Sequence, residues 1–425
     1  MTYFFETYGC QMNQAESSSM EQILLEKGWT NSSDAEHCDL LIINTCSVRI
    51  TAENRVLGRL GHFSGLKKKR KFFVLLIGCM AERLYTEIQK EFPLIDYVVG
   101  MFERNLLPQI FDEIKARLKN DNYMAEFTHN NIEEKPVSGY YFAPLSHSPK
   151  SFQSYVPIMN GCNNFCTYCI VPYVRGREVS RPVNEILQEI TELSSRGVRK
   201  ITLLGQNENS YKEKDGEGRL VDFPKLLSLI AREADKTDMI RWIRFMSSHP
   251  KDMSDALIDT IAAEKRLCKL VHLPVQHGSD TILKRMNRVY TIEHYKNRIK
   301  RLKETIPDIA LSTDILMGFP GETEDDVKST LDLMQEIEFD SAFMYHYNPR
   351  EGTKAFNYPD RIPEELKIER LGRVIDLQLK ITAKKMKAKL GKKVDILVES
   401  HSRNERSELF GHTEQGEMTV IQGNP

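Results

Sequence analysis

The chain of 425 residues lacks several features that would assign it to a familiar class of protein. Its formal net charge is only −1, so the molecule as a whole cannot attract a polyanion, and a polyanionic partner would have to be bound by local basic patches. No apolar run approaches the length of a membrane span, and the N-terminus lacks the basic and apolar regions of a signal peptide. We therefore expect no attachment to a membrane.

Cysteine is also scarce, with eight in the whole chain. Most of them occupy positions typical of metal ligands, and they do not form the disulfide framework of a small secreted protein. We interpret them as thiols that are kept reduced, which indicates a cytoplasmic protein. The length allows two or three domains, each with enough apolar sequence for its own core.

The most specific pattern is the CxxxCxxC run of Cys162, Cys166 and Cys169, which we call the loop triad. Three thiolates can hold three irons of a [4Fe–4S] cluster and leave the fourth iron open to a substrate or cofactor. The alternative is a structural zinc site, which needs a fourth ligand. Because the nearest downstream histidine, His249, is about eighty residues away, the spacing favours iron–sulfur over zinc.

The first 110 residues alternate short apolar runs with amphipathic stretches of helical period. Such alternation predicts βαβ units and a parallel sheet. The predicted strands are residues 3–7, 40–44, 72–77 and 97–99. The predicted helices are residues 15–27, 51–66, 81–92 and 105–118.

Three cysteines follow the first three of these strands: Cys10, Cys46 and Cys79, which we call the sheet triad. The carboxyl ends of parallel strands meet at one edge of the sheet, where open α/β folds bind their ligands. The sequence therefore predicts a second three-cysteine site. Cys38 and Cys268 precede their strands, so we expect neither to be a ligand, and Cys268 is better explained as a small buried apolar residue.

A linker is predicted over residues 128–152, which are rich in Asn, Pro, Ser and His and show no regular period. A second βα series follows it. Its predicted strands are residues 155–159, 201–204, 242–246, 270–275, 309–317 and 342–347, and its clearest helices are residues 183–195, 223–234, 292–304 and 324–337. Six βα units are too few for a closed eight-stranded barrel, so we predict an open (β/α)6 partial barrel with its chemistry at the carboxyl ends of the strands.

The pattern changes after a long helix predicted over residues 363–390. Residues 393–399, 408–412 and 417–422 are typical of short strands separated by polar turns, which indicates a small antiparallel β module. The sequence stops at Pro425, early for a stable domain of this kind, so we expect the module to be incomplete.

Two stretches are basic: residues 67–71, and the lysines at positions 380, 384, 385, 387, 389, 392 and 393. Each stretch is a candidate for binding phosphates. Each is equally well explained as the solvated face of a helix.

The loop triad after the first strand of a (β/α)6 barrel resembles the radical S-adenosylmethionine (SAM) superfamily. Together with an N-terminal three-cysteine α/β domain and a C-terminal β module, it resembles the methylthiotransferases that carry a TRAM RNA-binding domain. The resemblance covers essentially the whole chain. It implies a methylthiotransferase domain over residues 1–127, a linker over 128–152, a radical SAM domain over 153–380 and a TRAM-like RNA-binding module over 381–425.

Two segments narrow the resemblance within that family. Residues 7–13 (TYGCQMN) and 162–178 (CNNFCTYCIVPYVRGRE) closely resemble the members that act on N6-isopentenyladenosine next to the anticodon of tRNA. Members that act on threonylcarbamoyl-adenosine in tRNA, or on a ribosomal protein, usually carry other residues around the first cysteine. Those two substrates are the alternatives.

Three further blocks agree with this branch of the family: residues 204–207, 272–276 and 314–323. Two positions depart from it. Glu208 stands where an apolar residue is expected, and His277 stands where Ser is expected. Both lie near predicted strand ends, where contacts with SAM and the target base are expected.

The resemblance implies two [4Fe–4S] clusters and SAM as cofactors. In the superfamily, the open iron chelates SAM, and one electron cleaves SAM to a 5′-deoxyadenosyl radical. One SAM would methylate a sulfur on an auxiliary cluster held by the sheet triad, and a second SAM on the loop-triad cluster would allow C–S bond formation at C2 of adenine. C2 is an unactivated carbon, so no catalytic residue is expected beyond the cluster ligands.

The resemblance also implies partners. These are tRNA, through an anticodon stem-loop that bears isopentenyladenosine, and an electron donor such as flavodoxin or ferredoxin. We expect the protein to be a monomer.

Polar residues at the predicted strand ends are the candidates for holding SAM. They are Gln206, Asn207, Ser248, Gln276 and Asp314, and for each a strand-end hydrogen bond or a helix cap is an equally good explanation. The candidates for gripping the target base lie beside the loop triad, where an aromatic ring more often shields a cluster from solvent. They are Phe165, Tyr168, Tyr173 and Arg175.

Two other classes of protein share the cysteine count. A two-cluster electron carrier closes each cluster with a fourth cysteine and needs no large barrel. An RNA-binding protein could carry clusters that are only structural. Formation of 5′-deoxyadenosine from SAM and a reductant separates both classes from the enzyme.

Overall fold

The computed structural model describes residues 1–47, 50–120, 151–402 and 407–423. The chain divides into two compact units, Met1–Asn163 with Ile170–Arg181, and Asn164–Cys169 with Pro182–Pro425. Almost all of the predicted linker over 128–152 lies outside the described residues. Within the described ranges, no helix is both long enough and apolar enough to cross a membrane.

The first unit is built on a five-stranded parallel sheet with strand order β2-β1-β3-β4-β5. Its strands are β1 (Thr2–Thr7), β2 (Thr30–Asn31), β3 (Leu40–Thr45), β4 (Phe73–Gly78) and β5 (Tyr97–Val99). Every residue of β3 and β4 is buried, as expected for continuous apolar strands that helices cover on both faces. The predicted parallel-sheet domain is therefore confirmed.

The helices of the first unit follow the predicted order. They are α1 (Gln11–Glu26), α2 (Ile50–Lys67), α3 (Cys79–Arg83), α4 (Tyr85–Glu91) and α5 (Leu107–Lys119), with a 3-10 turn over Met101–Leu106. The single helix predicted over 81–92 was wrong, because the backbone of Leu84 leaves the helical region and separates α3 from α4. The unit continues through β6 (Gln153–Pro157), β7 (Met159–Asn160), α6 (Val171–Val174) and β8 (Val179–Ser180).

The second unit contains two sets of parallel strands. Its strands are β9 (Lys200–Leu204), β10 (Lys212–Lys214), β11 (Leu220–Asp222), β12 (Trp242–Phe245), β13 (Leu270–His272), β14 (Ala310–Met317) and β15 (Ser341–His346). β9 pairs with β12, and β14 pairs with both β13 and β15. The described strands do not close into a ring, as predicted for a partial barrel.

Helices alternate with these strands, as predicted. They are α7 (Val183–Ser195), α8 (Phe223–Asp235), α9 (Asp255–Ala263), α10 (Asp280–Arg285), α11 (Ile292–Thr305) and α12 (Glu324–Ile337). The antiparallel hairpin of β10 and β11 was not predicted. Its first strand, Lys-Glu-Lys, has no apolar alternation by which a sequence pattern could identify it.

The C-terminal module is a three-stranded antiparallel sheet that follows the long helix α13 (Glu364–Lys389). Its strands are β16 (Ile396–His401), β17 (Glu408–Thr413) and β18 (Met418–Gln422). Lys200, the first residue of β9, contacts Glu399 with 3.0 Å between Nζ and Oε1. The backbone N–H of Lys269, just before β13, donates to Glu414 Oε1 at 2.9 Å. The module therefore contacts the starts of these two barrel strands, away from their carboxyl ends.

Both positions that depart from the family pattern are fully buried. His277 Nε2 contacts Glu322 Oε2 at 3.1 Å, so its partner is a carboxylate that Arg370 also binds. No cationic side chain among the described residues pairs with Glu208. Its carboxylate accepts hydrogen bonds from the backbone N–H groups of Gly205 and Ser247. Burial raises the pKa of Glu208 to about 8, and the backbone donors only partly offset this effect.

Glu208 should make the stability depend on pH. Its pKa is higher in the folded chain than in the unfolded chain, so its stabilising effect is complete below pH 4.5 and is lost as the pH rises to about 8. The Glu208→Gln variant does not titrate. Its free energy of unfolding should therefore rise relative to wild type by about 1.4 kcal/mol per pH unit in that window. Denaturant unfolding at several pH values measures this difference, with the same substitution at the exposed Glu217 as the control.

Cys38 and Cys268 lie where strand direction predicted them. Each is buried and precedes its strand, and Cys38 Sγ donates to the carbonyl oxygen of Ala35 at 3.3 Å. Burial raises the pKa of the Cys38 thiol to about 12 and that of the Cys268 thiol to about 11. Both thiols are therefore protonated at neutral pH.

We expect Cys38→Ser and Cys268→Ser to retain the full iron content, because neither thiol lies at the carboxyl edge of its sheet. Iron assay after anaerobic reconstitution measures this, with Cys46→Ser as the variant that should lose iron. A loss of iron in the Cys38 or Cys268 variant would contradict the assignment of ligands.

Candidate metal centres and cofactor site

Sheet order brings the sheet triad together. Cys10 caps α1 directly after β1, Cys46 follows β3, and Cys79 begins α3 directly after β4. β1, β3 and β4 are adjacent and parallel, so the three loops leave the same edge of the sheet. The thiols of Cys10 and Cys46 are close enough to hydrogen bond, and this bond is the main reason why the pKa of Cys10 is lowered to about 6.

Glycine makes the close approach of these loops possible. A Cβ on Gly78, which has φ of +102°, would lie 2.3 Å from the carbonyl oxygen of Thr45. A Cβ on Gly9 would lie 2.7 Å from Cys46 Cβ. Any larger residue at either position would push the loops of the sheet triad apart.

Two buried asparagines fasten the loops beneath the cysteines. Asn13 Oδ1 accepts from both the backbone N–H and the thiol of Cys10, at 3.2 and 3.1 Å. Asn13 Nδ2 donates to Asn44 Oδ1 and to the carbonyl oxygen of Thr45, each at 3.0 Å. The role of Asn44 was not predicted from the sequence. An asparagine near the end of an otherwise apolar strand could have indicated it.

Arg175 reaches the sheet triad from a distant part of the chain. Its Nε donates to Cys79 Sγ at 3.2 Å, and its Nη1 donates to Glu16 Oε1 at 2.9 Å. Burial raises the pKa of the Cys79 thiol, and the charge of Arg175 opposes this effect. The expectation that Arg175 grips the target base was wrong, because its side chain is only 4% exposed and is already occupied.

Of the other three candidates for gripping the base, Tyr173 is the exposed one. Tyr168 packs against a buried apolar cluster that includes Ile282 and Phe319. Phe165 is half-buried.

The loop triad is held in a tightly bonded loop. Thr167 donates to the carbonyl oxygens of Met286 and Arg285, through its N–H at 3.0 Å and its hydroxyl at 2.9 Å. Asn287 Nδ2 donates to the carbonyl oxygen of Phe165 at 3.1 Å, where the backbone adopts a positive φ of 47°. These bonds fix the positions from which Cys166 and Cys169 project.

Arg288 approaches the loop triad as Arg175 approaches the sheet triad. Its Nη1 donates to Cys166 Sγ at 3.4 Å, its Nη2 donates to the carbonyl oxygen of Pro274 at 2.9 Å, and its Nε donates to Tyr290 Oη at 3.0 Å. Neither arginine was predicted for this role. Nothing in their local sequence shows which sulfur they meet.

The donor sets fit iron–sulfur clusters. Across the described residues, His, Cys, Asp and Glu side chains form no group of three that could hold a single metal ion as placed. Ligands of a four-iron cube each bind a different iron, so they stand further apart than the ligands of one ion. A guanidinium N–H on one sulfur of each triad complements the negative charge of thiolate ligands. A cationic donor therefore lies on Cys79 of the sheet triad and on Cys166 of the loop triad.

Two of the predicted SAM-binding residues are drawn together at the ends of β9 and β12. The Glu208 carboxylate accepts a hydrogen bond from the backbone N–H of Ser247, and the Glu208 N–H donates to the Ser247 carbonyl oxygen. These two bonds join the loop that carries Asn207 to the loop that carries Ser248. Asn207 Nδ2 donates to Asp252 at 2.8 Å. Asn207 Oδ1 and Ser248 Oγ are buried and have no hydrogen-bond partner among the described residues. Buried polar atoms without partners are costly, so a polar ligand such as SAM fits here.

Gln276 and Asp314 form a second pair. The N–H of Gln276 donates to the carbonyl oxygen of Asp314 at 2.8 Å, and Gln276 has a positive φ of 70°. Asp314 Oδ1 lies 3.4 Å from His272 Nε2. Gln206 is half-buried in the loop after β9.

His249 is a polar residue that the sequence analysis did not assign to this site. It follows Ser248, is buried, and has no partner for Nε2 among the described residues. Burial lowers the pKa of His249 to about 2, so the ring is neutral at physiological pH. The position of His249 after the end of β12 could have indicated from the sequence that it lies at this site.

The family models match two parts of the chain. Residues 156–334 match the radical SAM superfamily, and residues 2–100 match the uncharacterized protein family UPF0004. The first match contains Cys162, Cys166 and Cys169 of the loop triad. The second contains Cys10, Cys46 and Cys79 of the sheet triad.

Solved structures show the same fold at low sequence identity. The radical SAM methyltransferase TsrM from Kitasatospora setae, with cobalamin and a [4Fe-4S] cluster bound, has a TM-score of 0.59 at 13% identity, over 81% of this chain and 74% of that one. The cobalamin-dependent SAM radical enzyme OxsB has a TM-score of 0.56 at 12% identity, over 89% of this chain and 56% of that one.

Curated relatives are similar over the whole chain, and all three named here are tRNA-2-methylthio-N(6)-dimethylallyladenosine synthases. That of Treponema denticola is 98% identical, over 100% of this chain and 94% of its own length. That of Treponema pallidum is 63% identical, over 100% and 93%. That of Clostridium botulinum is 43% identical, over 99% and 91%. The chain belongs to the tRNA-2-methylthio-N(6)-dimethylallyladenosine synthase family of radical SAM enzymes.

Proposed function

We propose that this chain adds a methylthio group to C2 of N6-isopentenyladenosine next to the anticodon of tRNA, with two [4Fe–4S] clusters and two SAM-dependent steps. The observation that carries the proposal is the presence of two separate three-cysteine sites in one chain, each with a cationic donor on one sulfur. The identity with the three synthases over nearly all of the chain supports the choice of substrate.

The division of labour follows from the chemistry. C2 of adenine is an unactivated carbon, which acid–base catalysis cannot functionalise, and the bound cofactors supply the one-electron chemistry that can. The loop triad would hold the cluster that binds SAM. Asn207 Oδ1 and Ser248 Oγ would bind polar groups of SAM, and the sheet triad would hold the auxiliary cluster.

The two triads give a prediction about iron content and activity. We expect about eight irons per chain after anaerobic reconstitution, and about four when either triad is replaced by Ala. Replacing the loop triad should abolish formation of 5′-deoxyadenosine, whereas replacing the sheet triad should leave it intact and remove methylthio product from tRNA. Mass spectrometry of tRNA nucleosides measures the product. Four irons in the intact chain, or zinc in place of iron, would refute the proposal.

Another prediction tests the SAM contacts. Asn207→Ala and Ser248→Ala should each weaken SAM binding by about fivefold, because one hydrogen bond to a polar ligand contributes on the order of 1 kcal/mol. Equilibrium binding of SAM to the reconstituted protein measures this. Glu217→Ala, an exposed position between β10 and β11, is the comparison and should leave SAM binding unchanged. Unchanged affinity in both variants at full iron content would remove these residues from the SAM site.

The basic stretch between residues 380 and 393 is a candidate tRNA interface, but its lysines are not equally available for phosphate contacts. Three of its seven lysines are held in ion pairs by acidic side chains, Lys384 by Glu338, Lys385 by Asp340 and Lys389 by Glu417. Lys387, Lys392 and Lys393 are exposed and have no ion pair among the described residues. They are therefore the better candidates for phosphate contacts.

Replacing Lys387, Lys392 and Lys393 together by Gln should weaken tRNA binding. Each phosphate contact that is lost should also reduce the slope of log affinity against log salt by about one. The matched control replaces the three paired lysines by Gln, and we expect a smaller effect because their charges are already compensated. Equal effects of the two triple variants would show that the ion pairs do not determine which lysines bind RNA.

The remaining expectations stay proposals of the same kind. None of the eight cysteines, all of which lie in the described ranges, forms a disulfide, which supports a reducing compartment such as the cytoplasm. The division into residues 1–127, 128–152, 153–380 and 381–425 remains the proposed domain organisation. A flavodoxin or ferredoxin as electron donor and a monomeric state also remain predictions.

A further inference from the structure

Arg175 is more firmly fixed than its contact with one cysteine requires. Besides the Nε contact with Cys79, its Nη1 donates to Glu16 Oε1 at 2.9 Å and to Asn160 Oδ1 at 3.0 Å, and its Nη2 lies 3.4 Å from Glu16 Oε2. Asn160 in turn donates to the carbonyl oxygen of Arg175 at 3.0 Å. A planar guanidinium held by a carboxylate in this way has one orientation, which keeps its Nε aimed at the sulfur.

Charge near Cys79 is also unusual. Arg104 Nη1 lies 2.5 Å from Glu16 Oε1, so two guanidinium groups share one carboxylate. The three side chains are 3–8% exposed and together carry one positive charge. The thiolates of a cluster held by the sheet triad would therefore lie next to a group that is cationic overall, and opposite charges attract.

The Cys79 sulfur lies in an apolar setting that strengthens this interaction. Cys79 belongs to a buried cluster with Met101, Ile170 and Val174. Electrostatic effects are larger where water is excluded. A hydrogen bond from a cation to a cluster sulfur stabilises the reduced state, which carries one more electron.

We propose that Arg175, oriented by Glu16 and Arg104, is a positioning residue that sets the reduction potential of the cluster on the sheet triad. This inference rests on the proposed function, because it requires that cluster. Arg175 raises the potential by placing positive charge and an N–H on the Cys79 sulfur. Glu16 has the opposite electrostatic effect, although it is also the group that orients Arg175.

The test uses three substitutions that separate charge from structure. Arg175→Gln removes the positive charge. Arg175→Lys keeps the charge but loses the fixed Nε donor. Glu16→Gln removes the negative charge and keeps an amide oxygen that can still accept from Arg175. Glu26→Gln, exposed near the end of the same helix, is the matched control.

The measurement is a redox titration of the reconstituted full chain, followed by electron paramagnetic resonance. Each substitution is also made in a chain whose loop triad is replaced by Ala, so that the sheet-triad cluster is titrated alone. We expect Arg175→Gln to lower the potential and Glu16→Gln to raise it. Each shift should change the ratio of reduced to oxidised cluster on the order of tenfold, which is about 59 mV for one electron. Arg175→Lys should lower it less, and Glu26→Gln should not change it.

Opposite signs for Arg175→Gln and Glu16→Gln distinguish an electrostatic role from a structural one, because general loosening of the site would move both in the same direction. Shifts of the same sign, or no shift at full iron content, would overturn the inference. If Arg175→Gln does not retain its cluster, the directions of the potential shifts in Glu16→Gln and Arg175→Lys test the inference instead. About four irons in the intact chain would instead refute the proposed function, so the two failures are distinguishable.

Discussion

The parallel direction of adjacent strands is the constraint on which the first site depends. β1, β3 and β4 are adjacent and run in the same direction, so the loops that follow them leave the same edge of the sheet. Cys10, Cys46 and Cys79 therefore lie at one edge, although Cys46 is 36 positions after Cys10 and Cys79 is 33 positions after Cys46. The fully buried and largely apolar strands β3 and β4 are typical of a covered parallel sheet, so burial of the strands and placement of the cysteines have one cause. The small residues Gly9 and Gly78 then allow the loops to approach closely.

Buried polar groups next to the cysteines place positive charge and hydrogen-bond donors on the sulfurs. Arg175 and Arg288 each place a guanidinium on one sulfur of a triad, and both are fixed by further hydrogen bonds. Glu208 performs a different task, since its carboxylate joins two strand-end loops through backbone N–H groups. That arrangement keeps Asn207 and Ser248 buried beside each other with oxygen atoms that no described group binds. A polar cofactor can therefore bind without first displacing an internal partner.

The C-terminal lysines show that the number of basic residues in a stretch does not give its available positive charge. Seven lysines between 380 and 393 form one basic stretch in the sequence, but three of them contact acidic side chains in the folded chain. Two of those partners lie between α12 and β15, 46 and 45 residues before their lysines in the chain, and the third lies just before β18. The separations in sequence hide this compensation. A stretch that looks uniformly cationic thus divides into lysines with an ion pair and lysines that have none among the described residues.

The sequence by itself determined the order of the longer strands and helices along the chain, the grouping of the cysteines into two triads, the position of Cys38 and Cys268 before their strands, and the family. Those features depend on local periodicity, on ligand spacing and on strand direction, all of which are written along the chain. The short strands β2, β10 and β11 were not predicted. Only the tertiary structure decided which groups meet the sulfurs. Arg175 and Glu16 are 159 positions apart, and Arg288 and Cys166 are 122 apart. No local pattern encodes such pairs, because a buried charge finds its partner through packing of elements that the chain brings together only on folding.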